Sequence, residues 1–234
     1  MAEPAQLLAD AARALAEHLR FHRALGVRDL QLRGEHLAGP AAAIRRLAAS
    51  IEGCTRCKLS RGRTTIVFGS GDPGARLVLI GEGPGEEEDR QGKPFVGRAG
   101  QLLTKMLESV GISRDEVYIC NIVKCRPPGN RNPEPEEIAA CAPFLEGQIA
   151  AIRPGVIGAL GTFAAQRLLR TREPIGRLRG QIHPYGAAVL IPTFHPAFLL
   201  RNPGLTFRRL AYEDLKLIRR EYDRIRTARP ACPQ

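Results

Sequence analysis

The chain contains 234 residues, of which 44% are hydrophobic, so it can form one large domain with a sizeable core, or a domain with an appendage. No stretch approaches 18 uninterrupted apolar residues, and the N-terminus lacks the basic start and apolar block of a secretion signal; we therefore expect a cytoplasmic protein without a membrane span. The net charge is +11, and arginine supplies 30 of the 35 basic residues, which favours an anionic partner such as nucleic acid. The alternative explanation of this charge is a biased amino-acid composition, because alanine and arginine are abundant throughout the chain.

The first forty residues predict a helical appendage. Leucine and alanine recur near helical spacing across residues 5–24, which indicates an amphipathic helix. A stretch containing Gly and Pro separates it from a second predicted helix at 41–52. We therefore divide the chain into an appendage and linker (1–40), a main domain (41–226) and a tail (227–234).

Strands and helices alternate through the main domain. Short apolar runs predict strands, and longer amphipathic patterns predict the helices between them. This alternation predicts an α/β protein, with a three-layer α/β/α fold and a mainly parallel, four-stranded central sheet beside the helical N-terminal appendage. The candidate strands are 64–68, 76–81, 117–123, 155–160 and 187–192, and the candidate helices are 99–110, 135–151, 161–169 and 207–226.

Four of the six cysteines are grouped by their spacing. Cys54 and Cys57 form a CxxC pair, and Cys125 and Cys141 follow with fifteen residues between them. Four thiolates can hold zinc or an iron–sulfur cluster, although a zinc ribbon normally has two short pairs. A thioredoxin-type redox pair is the other alternative, but this CxxC follows a helical pattern. The spacing therefore favours a structural metal site without naming the metal.

The segment 81–100, GEGPGEEEDRQGKPFVGRAG, is the strongest indication of a ligand site. It follows an apolar run, so its glycines lie at the C-terminal end of a predicted strand, where open α/β sheets bind ligands. Phe95 follows a Lys-Pro pair and offers a flat surface for stacking. The alternative interpretation is an acidic, solvated loop with turn glycines.

Polar residues lie at two other predicted strand ends. Asn121 closes one strand, and its amide has the donor and the acceptor that are needed to read the edge of a base; capping a turn is its alternative role. His195 follows the last strand, although a lone histidine is more often structural than catalytic. Arg126 and Arg131 lie in a stiff, proline-rich loop that suits either phosphate contact or a solvated surface.

Together these segments resemble the uracil-DNA glycosylase superfamily, and most closely its family 4 branch, which carries an iron–sulfur cluster. The resemblance runs from about Ile51 to Tyr222 and rests, in this order, on GEGPGEEED, GKPFVGRAGQLL, NIVKCRPPGNRNPEPEEIAAC and HPAFLLRNP. Several long motifs in one order are more specific than any one of them. The resemblance implies a DNA repair enzyme that flips uracil out of single- or double-stranded DNA and excises it by hydrolysis, leaving an abasic site.

The resemblance also implies roles for individual residues. Phe95 corresponds to the residue that stacks on the flipped uracil, Asn121 to the one that reads the uracil edge, and His195 to the histidine beside uracil O2. Leu199, or alternatively Phe198, corresponds to the wedge that fills the gap left in the duplex. The expected DNA contacts are Arg126, Arg131 and Arg201, and the implied ligands of a 4Fe-4S cluster are Cys54, Cys57, Cys125 and Cys141.

Two positions depart from the best-known branch of the superfamily. Where that branch has an aspartate, this chain has Gly83, as family 4 does, so Glu82 is the nearest carboxylate for positioning the attacking water. Where that branch has a tyrosine that blocks the methyl group of thymine, this chain has Gly85, and Glu88 is our candidate for narrowing the pocket instead. We also expect the backbone N–H groups near Gly83 and Gly85, with His195, to stabilise charge developing on uracil O2.

A second class of function is a protein that binds uracil-containing DNA without releasing the base. Relatives that trap DNA covalently use a histidine in an inserted basic loop, and the segment 124–137 has no histidine, which argues against a trap. A non-catalytic DNA-binding module is a further alternative, in which residues 1–40 dock onto a repair or replication partner. We expect a monomer.

Overall fold

Four parallel strands form the centre of the sheet. The computed structural model describes residues 39–228, and the strands within them are β1 (Ser70–Gly71), β2 (Leu77–Gly81), β3 (Tyr118–Asn121), β4 (Val156–Leu160), β5 (His183–Tyr185) and β6 (Ala188–Thr193). They are arranged in the order β1-β3-β2-β4-β6-β5. Strands β3, β2, β4 and β6 are parallel neighbours, whereas β1 and β5 pair antiparallel at the two edges.

Helices connect the strands. They are α1 (Pro40–Ile51), α2 (Glu86–Gln91), α3 (Arg98–Glu108), α4 (Pro135–Ile152), α5 (Thr162–Leu169), α6 (Ile175–Leu178), α7 (Pro196–Arg201) and α8 (Leu205–Ala228). Short 3₁₀ turns occur at Lys58–Arg61, Arg114–Glu116 and Pro128–Asn130. Across residues 39–228, none of the helices has the length and apolar character to cross a membrane.

The central strand β2 supplies side chains to two hydrophobic cores, one on each face of the sheet. Val78 and Ile80 point into a core shared with helices α1, α4 and α5. Leu77 and Leu79 point into a second core shared with α3 and α8. Because side chains alternate along a strand, a strand that is buried on both faces reads as one continuous apolar run. Helices therefore cover both faces, which gives three layers.

The predicted α/β class and the mainly parallel sheet are confirmed, but the sheet has six strands instead of the predicted four, because β1 and β5 add antiparallel edges. The predicted helices of the main domain recur as α1, α3, α4, α5 and α8, with small shifts at their ends. The helix that we predict at 5–24 lies outside the described residues. The edge strand β5 and the short helices α2, α6 and α7 have no counterpart in the sequence-based prediction.

The predicted strand at 64–68 is wrong. The N–H groups of Thr64 and Thr65 donate to the Asp89 carboxylate at 2.9–3.2 Å, and the N–H of Val67 donates to the carbonyl of Lys124 at 2.8 Å. These donors are therefore bonded to a side chain and to a loop carbonyl instead of a neighbouring strand. The only strand that this segment leads into is the two-residue β1.

A buried ion pair and a hydrogen bond join helix α8 to the end of β6, because Asp214 pairs with Arg179 and also accepts from Thr193. The side chain of Asp214 is 0% exposed, and it accepts hydrogen bonds from Arg179 Nε at 3.0 Å and from Thr193 Oγ1 at 2.7 Å. Arg179 also donates to the carbonyl of Leu210 at 2.8 Å. Thr193 is the last residue of β6, so this network holds the strand end from which the chain continues to His195.

We expect the substitution Asp214→Asn to lower the free energy of unfolding by about 3–5 kcal/mol, because it leaves the largely buried charge of Arg179 unpaired. Urea denaturation followed by circular dichroism would measure this loss. The control is Arg167→Gln, which breaks the exposed pair with Glu146 and should cost less than about 1 kcal/mol. Equal losses of unfolding free energy in the two variants would show that the buried Asp214 pair contributes no more to stability than an exposed pair.

Candidate active site

A cavity of about 450 Å³ lies at the C-terminal ends of the parallel strands. This is where open α/β sheets bind ligands. The chain that follows β2 contributes the predicted site residues Glu82, Gly83, Gly85, Glu88 and Phe95. The end of β3 and the loop after it contribute Asn121 and Arg131, and the chain after β6 contributes His195 and Arg201. The fold therefore brings these nine predicted residues to one cavity.

The close approach of two of these side chains depends on Gly81, the last residue of β2. Gly81 and Asn121 are register partners on adjacent parallel strands. A Cβ at position 81 would lie 2.4 Å from Asn121 Oδ1 and 2.6 Å from Phe95 Cζ. Both distances are far below the roughly 3.5–4.0 Å at which carbon atoms pack. Glycine therefore lets the Asn121 amide and the Phe95 ring meet at the strand end.

The side chain of Asn121 holds an unpaired acceptor. It is 1% exposed, and its Oδ1 is the one fully buried side-chain oxygen or nitrogen within residues 39–228 that has no hydrogen-bond partner. Leaving such an acceptor unpaired costs about 1–3 kcal/mol, and native structures rarely do so. Asn121 is among the residues that line the cavity, so this unpaired acceptor lies beside the space that a ligand would occupy.

Phe95 adopts a strained backbone conformation. Its φ is 53°, which lies in the left-handed region that aromatic residues rarely enter. The backbone is held on both sides: Arg114 Nη2 donates to the carbonyl of Pro94 at 2.8 Å, and the N–H of Val96 donates to Glu88 Oε1 at 2.8 Å. Strain of this kind, about 1–3 kcal/mol, persists where the surrounding structure fixes the residue. The ring position is therefore imposed by its neighbours.

Glu88 joins the starts of two helices. Its carboxylate accepts the N–H groups of Val96 and Gly97, both at 2.8 Å, and that of Gly85 at 3.2 Å. A Cβ on Gly85 would lie 2.7 Å from Glu88 Oε2, so Glu88 fills the space beside that glycine. The N–H of Gly85 is thus bonded within the protein and is not free to stabilise charge on the base, whereas this role of the N–H of Gly83 stays a prediction. The narrowing role of Glu88 stays a prediction.

The imidazole of His195 is neutral. Burial, with a smaller contribution from the nearby Arg201 charge, lowers the pKa of His195 to about 4. Its Nδ1 accepts the N–H of Ala197 at 3.1 Å at the start of α7, so the ring proton lies on Nε2. The Phe95 and His195 ring centroids are 5.6 Å apart. Gly161 permits this placement, because a Cβ there would lie 2.9 Å from His195 Cβ.

Glu82 is the carboxylate of the cavity with a strongly shifted pKa. Burial raises the pKa of Glu82 to about 7, against the opposing effect of the Arg201 charge. At neutral pH the protonated and ionised forms are therefore present in comparable amounts. A pKa near the working pH is what general base catalysis requires.

Two of the predicted DNA-contacting arginines, Arg126 and Arg131, lie in the loop after β3, and both bind other side chains of the protein. Arg126 Nε donates to Asn130 Oδ1 at 2.8 Å, and its Nη2 lies 3.5 Å from Glu86 Oε2. Arg131 donates through two nitrogens to the buried carboxylate of Glu137 on α4, at 2.6 and 2.9 Å. Arg131 therefore anchors the loop to that helix, and its contact with phosphate stays a prediction.

The prediction that Leu199 is the wedge does not hold. Its side chain is 2% exposed and belongs to the core between the sheet and α8. Because α7 begins at Pro196, the helical repeat places residues 196 and 199 together on the buried face. Phe198 lines the cavity and packs against Phe194 and Phe207, with ring centroids 5.1 and 5.0 Å away. The alternative position, Phe198, is thus the one that faces the cavity.

The four grouped cysteines, Cys54, Cys57, Cys125 and Cys141, line one small second cavity between α1 and α4. Arg63 Nη1 donates to Cys125 Sγ at 3.4 Å and to the carbonyl of Cys54 at 2.6 Å. Burial raises the pKa of the Cys125 thiol, and it raises that of Cys141 to about 11. Cys120 is buried in β3, apart from this group.

Four cysteine thiols around one small cavity are a donor set that suits an iron–sulfur cluster. Within residues 39–228, no three His, Cys, Asp or Glu side chains are gathered closely enough to hold one metal ion. A cluster spreads four thiolates around several iron atoms, and hydrogen bonds to its sulfurs, such as that from Arg63, are typical of such sites.

Three residues that shape the cavity are absent from the sequence-based prediction: Gly81, Arg114 and Lys124. Gly81 has a signal in the sequence, because it ends an apolar strand and is the first residue of the glycine-rich segment 81–100. Arg114 and Lys124 have no such signal. In the sequence Lys124 reads as an ordinary basic residue beside Cys125, yet its side chain is fully buried.

Comparisons with known proteins agree with the geometry. The Uracil DNA glycosylase superfamily model matches residues 68–216. The type-4 uracil-DNA glycosylase of Thermotoga maritima is 51% identical over 168 residues, which cover 71% of this chain and 88% of that protein. The type-4 uracil-DNA glycosylase of Saccharolobus solfataricus is 44% identical over 182 residues, or 74% and 83% of the two chains. This chain belongs to the uracil-DNA glycosylase superfamily, and within it to the type-4 uracil-DNA glycosylases.

Proposed function

We propose that the protein removes uracil from DNA by flipping the nucleotide into the strand-end cavity and hydrolysing its N-glycosidic bond. The observation that carries this proposal is the unpaired, buried Oδ1 of Asn121 beside Phe95 and His195 in one cavity. A flipped uracil needs an acceptor for its N3–H, a surface for stacking and a donor for O2. These three side chains supply them, and the relatives' name, type-4 uracil-DNA glycosylase, supports the same activity.

The Asn121 amide selects uracil against cytosine. Its Oδ1 accepts the N3–H of uracil, and its Nδ2 donates to O4. Cytosine has an acceptor at N3 and a donor at N4, so Oδ1 would face an acceptor and Nδ2 would face a donor. Each buried mismatch costs about 1–3 kcal/mol. Phe95 stacks on the base and holds its edge in register with the amide.

The N-glycosidic bond breaks towards a cation-like sugar and a uracil anion. The neutral His195 donates its Nε2–H to O2, where negative charge develops, and one preorganised donor of this kind is typically worth about 3–4 kcal/mol. Water attacks C1′ and loses a proton, and the departing uracil takes up a proton, so the products are uracil and an abasic site. The ionised form of Glu82 orients this water and balances the charge on the sugar.

Thymine differs from uracil only by the methyl group at C5. Glu88 occupies the space beside Gly85, where it is held by three backbone N–H groups. A side chain that is fixed in this way cannot move aside at low cost. We assign to Glu88 the narrowing of the pocket that excludes the methyl group.

The DNA backbone lies against the basic rim of the cavity. Arg126, Arg131 and Arg201 contact phosphates, and Phe198 fills the gap that the flipped nucleotide leaves. The net charge of +11 supports binding that weakens as salt rises, because phosphate contacts release counterions. Single-stranded and duplex DNA both offer these contacts.

The four grouped cysteines, Cys54, Cys57, Cys125 and Cys141, hold a 4Fe-4S cluster in this proposal. When bound, the cluster supplies iron–thiolate bonds that cross-link the chain. These bonds join the segment after α1 to the loop after β3 and to helix α4. The same loop carries Arg126 and Arg131, so the cross-link supports the DNA-contacting rim.

The remaining proposals concern the whole chain. Residues 41–226 form the glycosylase domain, and 227–234 are a tail. Residues 1–40 lie before the family match, which starts at residue 68, and we assign them to docking with a repair or replication partner. The protein acts as a cytoplasmic monomer.

Uracil release from labelled oligonucleotides tests the proposed function. Single-stranded, U:G and U:A substrates are incubated with the protein, and alkali cleavage reveals abasic sites. We expect Asn121→Ala and His195→Ala each to slow excision by about 100-fold or more, as the loss of a preorganised polar contact does elsewhere. Arg167→Gln, away from the cavity, should excise normally. Tight binding of uracil-containing DNA without abasic sites would instead establish a non-releasing binder.

The rate should depend on pH through Glu82. Its pKa is raised to about 7, and the ionised form orients the water, so kcat/KM should fall as pH decreases through about 7 and level off above it. His195 titrates near pH 4 and stays neutral across this range. We expect Glu82→Gln to lower the rate and to flatten the profile. An unchanged slope in Glu82→Gln would assign the titration to another group.

Replacing Cys141 should cost stability before it costs chemistry. In Cys141→Ala we expect loss of the visible absorbance of the cluster and a fall of more than about 3 kcal/mol in unfolding free energy, since metal-binding energy is folding energy. Excision by the remaining folded protein should fall less than tenfold at low temperature. Cys120→Ala is the control, because Cys120 is also buried but does not line the cysteine cavity, and it should keep the absorbance.

A further inference from the structure

Lys124 is a fully buried lysine that the mechanism above does not use. Its side chain is 0% exposed, and its Nζ donates to the carbonyl of Asn121 at 2.7 Å and to Gln148 Oε1 at 2.6 Å. Within residues 39–228, no carboxylate forms an ion pair with it. Burying an amino group in this way is costly unless its hydrogen bonds serve the structure.

Gln148 fixes the far side of Lys124. It lies on helix α4, and its Nε2 donates to the carbonyl of Phe68 at 2.8 Å and to the hydroxyl oxygen of Tyr118 at 3.2 Å. Its amide is therefore bonded at both ends. The Nζ of Lys124 is held in one place by a helix that does not itself touch the base-binding cavity.

With the hydrogen bond from Lys124, both polar groups of one peptide at the end of β3 are hydrogen-bonded. The peptide between Asn121 and Ile122 has its N–H bonded to the carbonyl of Gly81 at 3.0 Å, and its carbonyl bonded to Lys124 Nζ. The side-chain Oδ1 of Asn121 has no partner within the protein. The direction of the Asn121 amide is therefore set by its backbone and by the walls around it.

We propose that Lys124 is a positioning residue for uracil recognition, whose buried amino group holds the Asn121–Ile122 peptide so that the Asn121 amide faces the base edge. The inference rests on the proposed function. Lys124 does not touch the base and acts only through Asn121. Recognition of uracil thus depends on a side chain that is anchored to α4.

A double-mutant cycle tests this role. Single-turnover excision is measured for the unaltered protein, Lys124→Met, Asn121→Ala and the double variant. We expect Lys124→Met to slow excision about tenfold or more in the unaltered background, as the loss of a buried hydrogen bond does, and by less than about threefold in Asn121→Ala. An equal cost in both backgrounds would overturn the positioning role. Absence of excision by the unaltered protein would refute the proposed function itself.

Binding of free uracil gives a readout that general damage to the fold would not reproduce. Lys124→Met should weaken inhibition by uracil about tenfold and leave the affinity for abasic DNA unchanged, because only the base edge is read through Asn121. Equal weakening for both ligands would contradict the inference. Tyr118→Phe is the matched control, since it removes a hydrogen bond at the far end of the same network and should alter neither.

If Lys124→Met does not fold, as judged by circular dichroism, Gln148→Leu replaces it. In that variant Lys124 keeps its bond to the Asn121 carbonyl but loses its anchor on α4. We expect about a threefold or larger loss of uracil inhibition, and no further loss of excision in the Asn121→Ala background. A loss of excision that persists without the Asn121 amide would overturn the proposal.

Discussion

The close approach at Gly81 is the constraint on which the base-binding cavity depends. Two parallel strands end side by side, and the absence of a Cβ at the end of β2 lets the amide of Asn121 and the ring of Phe95 share one volume. Packing at this density tolerates no added methyl group without displacing one of them. Gly81 thus brings the Asn121 amide and the Phe95 ring together, although it contributes neither group itself.

Ionisable side chains hold the loops around this point where the sheet ladder ends. Glu88 binds three backbone N–H groups, Asp89 binds those of Thr64 and Thr65, and Lys124 binds the carbonyl of Asn121. Buried backbone groups need partners, and outside a ladder a side chain with several acceptors or donors can satisfy them together. Hydrogen bonds of the same kind, to Glu88 and from Arg114, hold the backbone on either side of Phe95 in its strained conformation.

Sequence patterns predicted the parts of the site that follow from local order along the chain. Asn121 ends β3, His195 follows β6 by two residues, and Phe95 lies in the segment between β2 and α3. The carboxyl ends of parallel strands meet at one edge, so their convergence was predictable. Leu199 was mispredicted because the register of a six-residue helix decides which side chain faces the core. The strand prediction at 64–68 failed because the N–H groups of this segment bind Asp89 and Lys124, which are distant in sequence. No sequence pattern marks Lys124, because its burial depends on packing against Gln148 of α4.

Burial and one nearby charge set the pKa values of two side chains in the cavity, His195 and Glu82. Burial disfavours charge on both His195 and Glu82, and the Arg201 charge lowers the pKa of each. For His195 the two effects act together, so the ring stays neutral and its one ring proton lies on Nε2. For Glu82 they oppose each other, and Arg201 prevents burial from keeping the carboxyl group protonated above neutral pH. A single arginine at the end of α7 therefore favours both a neutral imidazole at His195 and an ionised carboxylate at Glu82.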